Sequence, residues 1–265
     1  MDLREKNEDI SVLDNRHPWE TARFKVVLCY LNIYIKDFRN KPLRILDIGC
    51  GDTFFVEKLS KELPLATCWA IDTAFTDTMI QNISNRLAQE KIFVYKDLKE
   101  IALPQNQTFD IVLLLDVMEH IENNVSFLKE IKNNPFCGSN TVFTITVPAF
   151  QSLFTSHDEF LLHYRRYSNH QLKQLLVKVN LQCLHVSYFF FILLIPRLLK
   201  KFLEKVFEQK TSKEKGVGQW KHGKLVTQII VVLLLVDFYK FKLFNKIGIK
   251  MPGLSNIMLC KKPVS

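Results

Sequence analysis

Apolar and polar residues run along the chain in blocks. Continuously apolar runs, "LRILDIG" (43–49), "ATCWAID" (66–72), "KIFVYKD" (91–97), "FDIVLLLDV" (109–117) and "NTVFTITVP" (140–148), alternate with stretches whose apolar positions recur at helical spacing. The helical stretches are "TFFVEKLSKEL", "FTDTMIQNISNRLAQ", "SFLKEIKNN" and "SNHQLKQLLVKVN", with Thr or Asp available to cap the second and Ser168 the last. Strands apolar on both faces and separated by helices predict a parallel sheet covered on both sides, an α/β, doubly wound fold. An amphipathic helix is predicted before the first strand, with Phe24, Val27, Leu28, Leu31 and Ile35 on one face. After "LQCLHVSYFFF", a sixth strand, the alternation breaks, and it resumes only at "SNIMLCKKP", a closing strand. The expected organisation is a polar segment and helix (1–40), a core (41–190), a basic apolar helical insertion (191–254) and a last core strand (255–265).

Composition adds two points. A chain of 265 residues, 48% hydrophobic and 24% charged, has the balance of a globular protein and excludes a disordered one. Its six cysteines include no CxxC pair and its start is charged, which suggests a cytoplasmic, reducing setting. The net charge of +9 is uneven: between Pro196 and Lys246, twelve Lys or Arg face four Asp or Glu. Such an excess attracts nucleic acid, anionic lipid or acidic substrates without choosing among them.

The candidate chemistry lies at the strand ends, where open parallel sheets bind ligands. Gly49 and Gly51 flank Cys50 just after the first strand, where a Cβ would obstruct a close approach, and Asp47 offers an acceptor. Asp72 ends the second strand, about 20 residues on, where a carboxylate can accept from ribose hydroxyls. Asp97 ends the third. Phe54 stands where a dinucleotide fingerprint wants its last glycine, which weakens a pyrophosphate reading. Asp116 ends the fourth strand, and Glu119 and His120 follow at i+3 and i+4, so a helical turn would project all three to one side. After the fifth strand, "VPAFQSLFTSHDEFLLHYRRYS" (147–168) is placed as a lid over the site. A histidine with an ordinary pKa of about 6.5 suits a general base, and His157 and then His163 are the candidates. The same His-Asp and Arg-Arg-Tyr sets can instead only pin the lid. His17, Trp19 and Arg23 can close over the site, or Trp19 can staple the first helix.

The stretch Asp-Ile-Gly-Cys-Gly resembles motif I of the class I S-adenosylmethionine-dependent methyltransferases, with Thr53 where that family often has a third glycine. The resemblance covers about Leu43 to Asn180 and implies a Rossmann-like seven-stranded sheet whose last strand is antiparallel. It further implies that Gly49, Cys50 and Gly51 line the methionine moiety of S-adenosylmethionine, that Asp47 places its amino group, that Asp72 binds ribose and that Asp97 faces adenine. Asp116 belongs to the same implied cofactor set. "DVMEH" is similar to a signature of ubiquinone-pathway O-methyltransferases and small-RNA 2′-O-methyltransferases, and implies that Asp116, Glu119 and His120 either hold a divalent cation or only order the cofactor loop.

"YFFFILLIPRLLKKFLEKVF" and "KLVTQIIVVLLLVDFYKFKLF" contain uncharged runs too short for a spanning helix, which needs about 20 residues. They can pack on the sheet, pair two subunits in a homodimer or lie on a membrane surface. No base-reading module interrupts them, which argues against nucleic acid. The expectation is a cytoplasmic, membrane-associated or free, methyltransferase acting on a hydroxyl or amine of a small or lipid-linked acceptor. The alternatives are a metal-assisted RNA 2′-O-methyltransferase and a non-catalytic S-adenosylmethionine-binding module.

Overall fold

The computed structural model describes residues 16–207, 220 and 222–263. Seven strands, β1 (Arg44–Ile48), β2 (Thr67–Ile71), β3 (Ile92–Tyr95), β4 (Phe109–Leu115), β5 (Cys137–Pro148), β6 (Gln182–Phe189) and β7 (Ser255–Lys261), form one sheet. Their order is β3-β2-β1-β4-β5-β7-β6. The first five pair in parallel, and β7 lies antiparallel to both β5 and β6. The order reverses at β1, so the ligand crevice of such a sheet falls at the ends of β1 and β4.

The continuous apolar runs are explained by two cores, one on each face. Ile45, Ile111 and Leu113 join α1 (Pro18–Tyr34) and α2 (Phe54–Glu62) on one side. Leu46, Val112 and Leu114 join α4 (Asn124–Asn133) and α6 (Asn169–Lys178) on the other. Between them in sequence lie α3 (Asp77–Arg86) and the short α5 (Ser156–Phe160). The caps fall where the polar residues predicted them. Thr76 accepts from the Met79 N–H at 3.2 Å, and Ser168 accepts from the Gln171 N–H at 3.2 Å while the Gln171 side chain reaches back.

The first helix departs from the expected one-sided stripe. Glu20, Ala22, Arg23, Val26 and Tyr30 are buried in addition to the apolar face. Helix α8 (Lys224–Lys246) packs on this helix and brings Leu234 and Phe238 into the same core, while Arg23 is buried by Asp116 and Trp19 and Glu20 pairs with Arg16. Both α7 (Leu194–Phe207) and α8 lie in the excursion between β6 and β7. The chain returns to the sheet through Gly253, where a Cβ would stand 2.3 Å from the Phe189 carbonyl oxygen, a contact only glycine allows.

Candidate active site

The end of β1 is held open by backbone geometry. The N–H groups of Gly49 and Cys50 both donate to the Ile71 carbonyl, at 2.8 and 3.0 Å. Gly49 takes φ +72°, and a Cβ there would meet Val117 Cγ2 at 2.6 Å. Gly51, at φ +59°, donates its N–H to Asp72 Oδ2 at 2.9 Å, while Asp72 Oδ1 accepts from Ala74 at 3.0 Å. The third position keeps the glycine-like conformation without the glycine, since Thr53 sits at φ +66°. A β-branched residue is strained there. Its hydroxyl contacts Glu57 Oε1 at 2.5 Å and accepts from Arg86 at 3.1 Å, which ties α2 to α3.

Asp47 lies 2% exposed beneath this turn, and its Oδ1 has no hydrogen-bond partner among the described residues. Burial pushes its carboxyl up to about 7, against the opposing pull of the Arg23 charge. A small recess opens beside it, lined by Arg23, Asp47, Gly49, Cys50, Phe54, Phe55 and Leu115. Arg23 reaches in from α1, stacks over the Trp19 ring at 4.5 Å and donates to Asp116 Oδ2. Asp116 itself adopts φ +58°, and its Oδ1 accepts from the Thr146 hydroxyl at 3.1 Å. Arg16 closes the same side through a two-pronged pair with Asp52 at 2.6 and 2.9 Å.

A second group lies at the end of β4. One ligand atom each from Glu119, His120 and His163 falls within 4.8 Å of the others. Asp116, grouped with Glu119 and His120 by sequence spacing, is outside this set and is engaged by Arg23 instead, because it precedes the 3-10 turn Met118–His120 that carries the other two. Glu119 is 1% exposed, its Oε2 has no hydrogen-bond partner among the described residues, and burial pushes its carboxyl up to about 8. The Tyr164 N–H donates to the Glu119 carbonyl at 2.8 Å and fastens the lid segment there. His163 Nδ1 lies 3.0 Å from Asp158 Oδ1, and its ring meets His120 edge to face at 4.6 Å. Asp158, fully buried, also accepts from Arg166 at 2.8 Å, from the Thr155 N–H at 2.9 Å and from Arg197. Burial alone would raise this carboxyl, but His163, the two guanidinium groups and the Thr155 N–H outweigh it and hold it below the usual carboxylate range.

His157 is half-buried in the first turn of α5, outside the group formed by Glu119, His120 and His163. Asp97 is exposed and caps a 3-10 turn by accepting from the Lys99 N–H at 2.9 Å. Arg16, Asp52 and Arg197 went unnoticed in the sequence, whereas Thr53 was singled out at the third glycine position and His163, Asp158 and Arg166 within the lid.

Two kinds of group fit these residues. A buried, orphaned carboxylate oxygen under a glycine turn, with a ribose-type acceptor at Asp72, suits an aminoacyl nucleoside. One carboxylate and two imidazoles, one imidazole backed by a carboxylate, suit a divalent transition metal.

The profile of the family described as a methyltransferase domain matches residues 26–186. The malonyl-[acyl-carrier protein] O-methyltransferase of Bacillus anthracis is 26% identical over 160 residues, which cover 56% of this chain and 58% of that protein, so the match spans less than two thirds of the relative. Among solved structures, the [4+2]-cyclase SpnF has a TM-score of 0.54 at 15% identity, covering 95% of this chain and 86% of its own. The plantazolicin methyltransferase BpumL, solved with SAH and a substrate analogue, has a TM-score of 0.52 at 18% identity, covering 93% and 85%. At these identities the structural likeness concerns the fold. With the profile match running from the first helix into β6, the chain belongs to the methyltransferase-domain family, of the class I S-adenosylmethionine-dependent kind.

Proposed function

We propose that the chain transfers a methyl group from S-adenosylmethionine to a hydroxyl, or an amine, of a small or lipid-linked acceptor. The observation that carries this reading is the buried Asp47 Oδ1 under the Gly49 turn, without a hydrogen-bond partner among the described residues. It is an acceptor kept dry and waiting for a cationic donor such as an α-amino group. In this reading Asp72 receives the ribose hydroxyls, Arg23 and Asp116 shape the wall beside the methionine moiety, and Asp97 lies towards the adenine side. When bound, the cofactor supplies an already activated methyl, so the protein's part is largely alignment of the acceptor.

Of the two histidines proposed as base, the geometry favours His163. Asp158 engages its Nδ1, which leaves Nε2 to take the acceptor proton as the carbon–oxygen bond forms. Arg166 and Arg197 keep Asp158 ionised for that role. The grouping of Glu119, His120 and His163 supports a second reading, in which a divalent cation bound there polarises the acceptor oxygen. An unrelated activity on a similar fold, as in the cyclase above, is a reminder that fold does not dictate reaction.

The test is calorimetric titration with S-adenosylmethionine and with its demethylated product, then incubation with radiolabelled donor and separated lipid, RNA, protein and small-molecule pools. Binding that falls at least about tenfold in Asp47→Asn, with label entering lipid or small molecules, supports the reading. Absence of binding overturns it, label in RNA redirects it to nucleic acid, and binding without label in any pool favours a non-catalytic module. Metal analysis of the purified protein before and after chelation decides the second reading.

A further inference from the structure

The helix α7 is turned inside out relative to a surface helix of a globular protein, which hides its apolar stripe and wets its polar one. Ile195, Leu198, Leu199, Phe202 and Val206 recur on one face, and each is between 53 and 62% exposed. Arg197, Lys201 and Glu204 of the same helix instead engage the protein. Arg197 donates to the Leu153 carbonyl at 3.1 Å and to Asp158, Glu204 accepts from the Ser156 hydroxyl at 2.8 Å, and Lys201 donates to the Ser152 carbonyl.

On α8, Val231, Leu234, Phe238 and Phe241 are buried, while Leu225, Ile229, Val232, Val236, Tyr239 and Leu243 form a stripe on the other side, between 46 and 71% exposed. So much outward apolar surface is costly in water and marks a docking face. Its surroundings are cationic. Lys205, Lys224, Lys240, Lys246 and Lys250 are exposed on or beside these helices. The stretch from Pro196 to Lys246 holds twelve basic residues against four acidic ones. No helix among the described residues is long and apolar enough to cross a membrane.

We propose that the outward faces of α7 and α8 dock on an anionic lipid surface, with the apolar stripes entering the headgroup–acyl boundary and the lysines meeting lipid phosphates. Charge chooses the occupant. A second copy of this chain would bring the same basic excess to the interface, whereas an anionic bilayer neutralises it. The polar side of α7 is fastened to the loop that carries His163, so docking brings the lid segment to the lipid boundary. This is independent of the identity of the methyl acceptor.

The experiment is vesicle flotation of the full chain with phosphatidylcholine alone and with phosphatidylcholine plus phosphatidylglycerol. Three proteins are compared: the wild type, Leu198→Glu with Phe202→Glu, and Val232→Glu with Val236→Glu. The wild type should bind the anionic vesicles at least about tenfold more tightly than the neutral ones and be released by salt. Each glutamate pair should weaken binding at least about tenfold. The salt series on the wild type gives a reading even if a variant misfolds. S-adenosylmethionine titration of the same samples keeps docking separate from catalysis, since failure of that titration leaves the vesicle result standing. The proposal is overturned if the wild type ignores anionic vesicles, if folded glutamate variants bind as well as the wild type, or if sedimentation shows a wild-type dimer that either pair converts to monomer without changing vesicle binding.

Discussion

Helices α6 and α7 lie close in sequence and obey opposite rules. In α6, Leu172, Leu175 and Leu176 are buried while His170, Gln171, Lys173 and Lys178 are exposed, so the hydrophobic effect seats the helix. In α7 the seat is largely polar, Arg197 on Asp158 and Glu204 on Ser156, and Leu198, Leu199 and Leu203 are left outside while Leu194 at its start is buried. A helix held by charge is specific in orientation but gains little from water. That suits an element whose other face is reserved for a second phase.

Four variants put this contrast to the test. The largest effect is expected from Asp158→Asn, which leaves Arg166 and Arg197 facing a neutral amide in a buried site and should cost about 3–5 kcal/mol in chemical denaturation. The same pair carries a pH signature. Because the folded-state pKa of Asp158 is lowered, its stabilisation is present above the usual carboxylate range and lost as the pH falls through and below that range. The acid limb of Tm against pH should therefore be steep in the wild type and flatter in Asp158→Asn.

Leu172→Ala removes an apolar anchor of α6 and should cost about 2–4 kcal/mol through cavity formation, with no such pH signature, measured by the same denaturation. A smaller effect separates two kinds of buried carboxylate. Asp47 lacks the compensation Asp158 enjoys, its folded pKa is raised to about 7, and stability should decline as the pH rises from the carboxylate range to about 7. Asp47→Asn should flatten that decline in a thermal-shift series. The smallest effect is expected at Leu199, 56% exposed on α7, where Leu199→Ser should move Tm by no more than about 0.5 kcal/mol equivalent. A large loss there would mean that α7 is packed after all.

These differences explain what the sequence disclosed. The sheet was legible because its strands are apolar on both faces and its helices carry caps, and Gly49, Gly51 and Asp72 were legible because a turn at a strand end needs glycine and places a carboxylate nearby. Arg23 could be named with His17 and Trp19 as closing over the site, but its pairing with Asp116 could not, because 93 positions separate the two in sequence. Thr53 concealed its left-handed backbone because a β-branched residue seldom adopts one. The spacing of apolar residues in α7 shows that the helix has two faces but carries no sign, and only the positions of Asp158 and Ser156 decide which face turns inward.

In the register between β6 and β7, Phe189 stands opposite Ser255. The chain thus departs and rejoins the sheet at a single rung, and residues 190–254 amount to an overgrown hairpin tip. Lengthening such a tip is entropically cheap, about 0.6 kcal/mol for each doubling. A protein could therefore gain a lipid-seeking appendage without redrawing its sheet. Trimming it back to a tight turn would be harder, because α8 roofs the helix that delivers Arg23, and a shortened chain would have to find another cover for that helix.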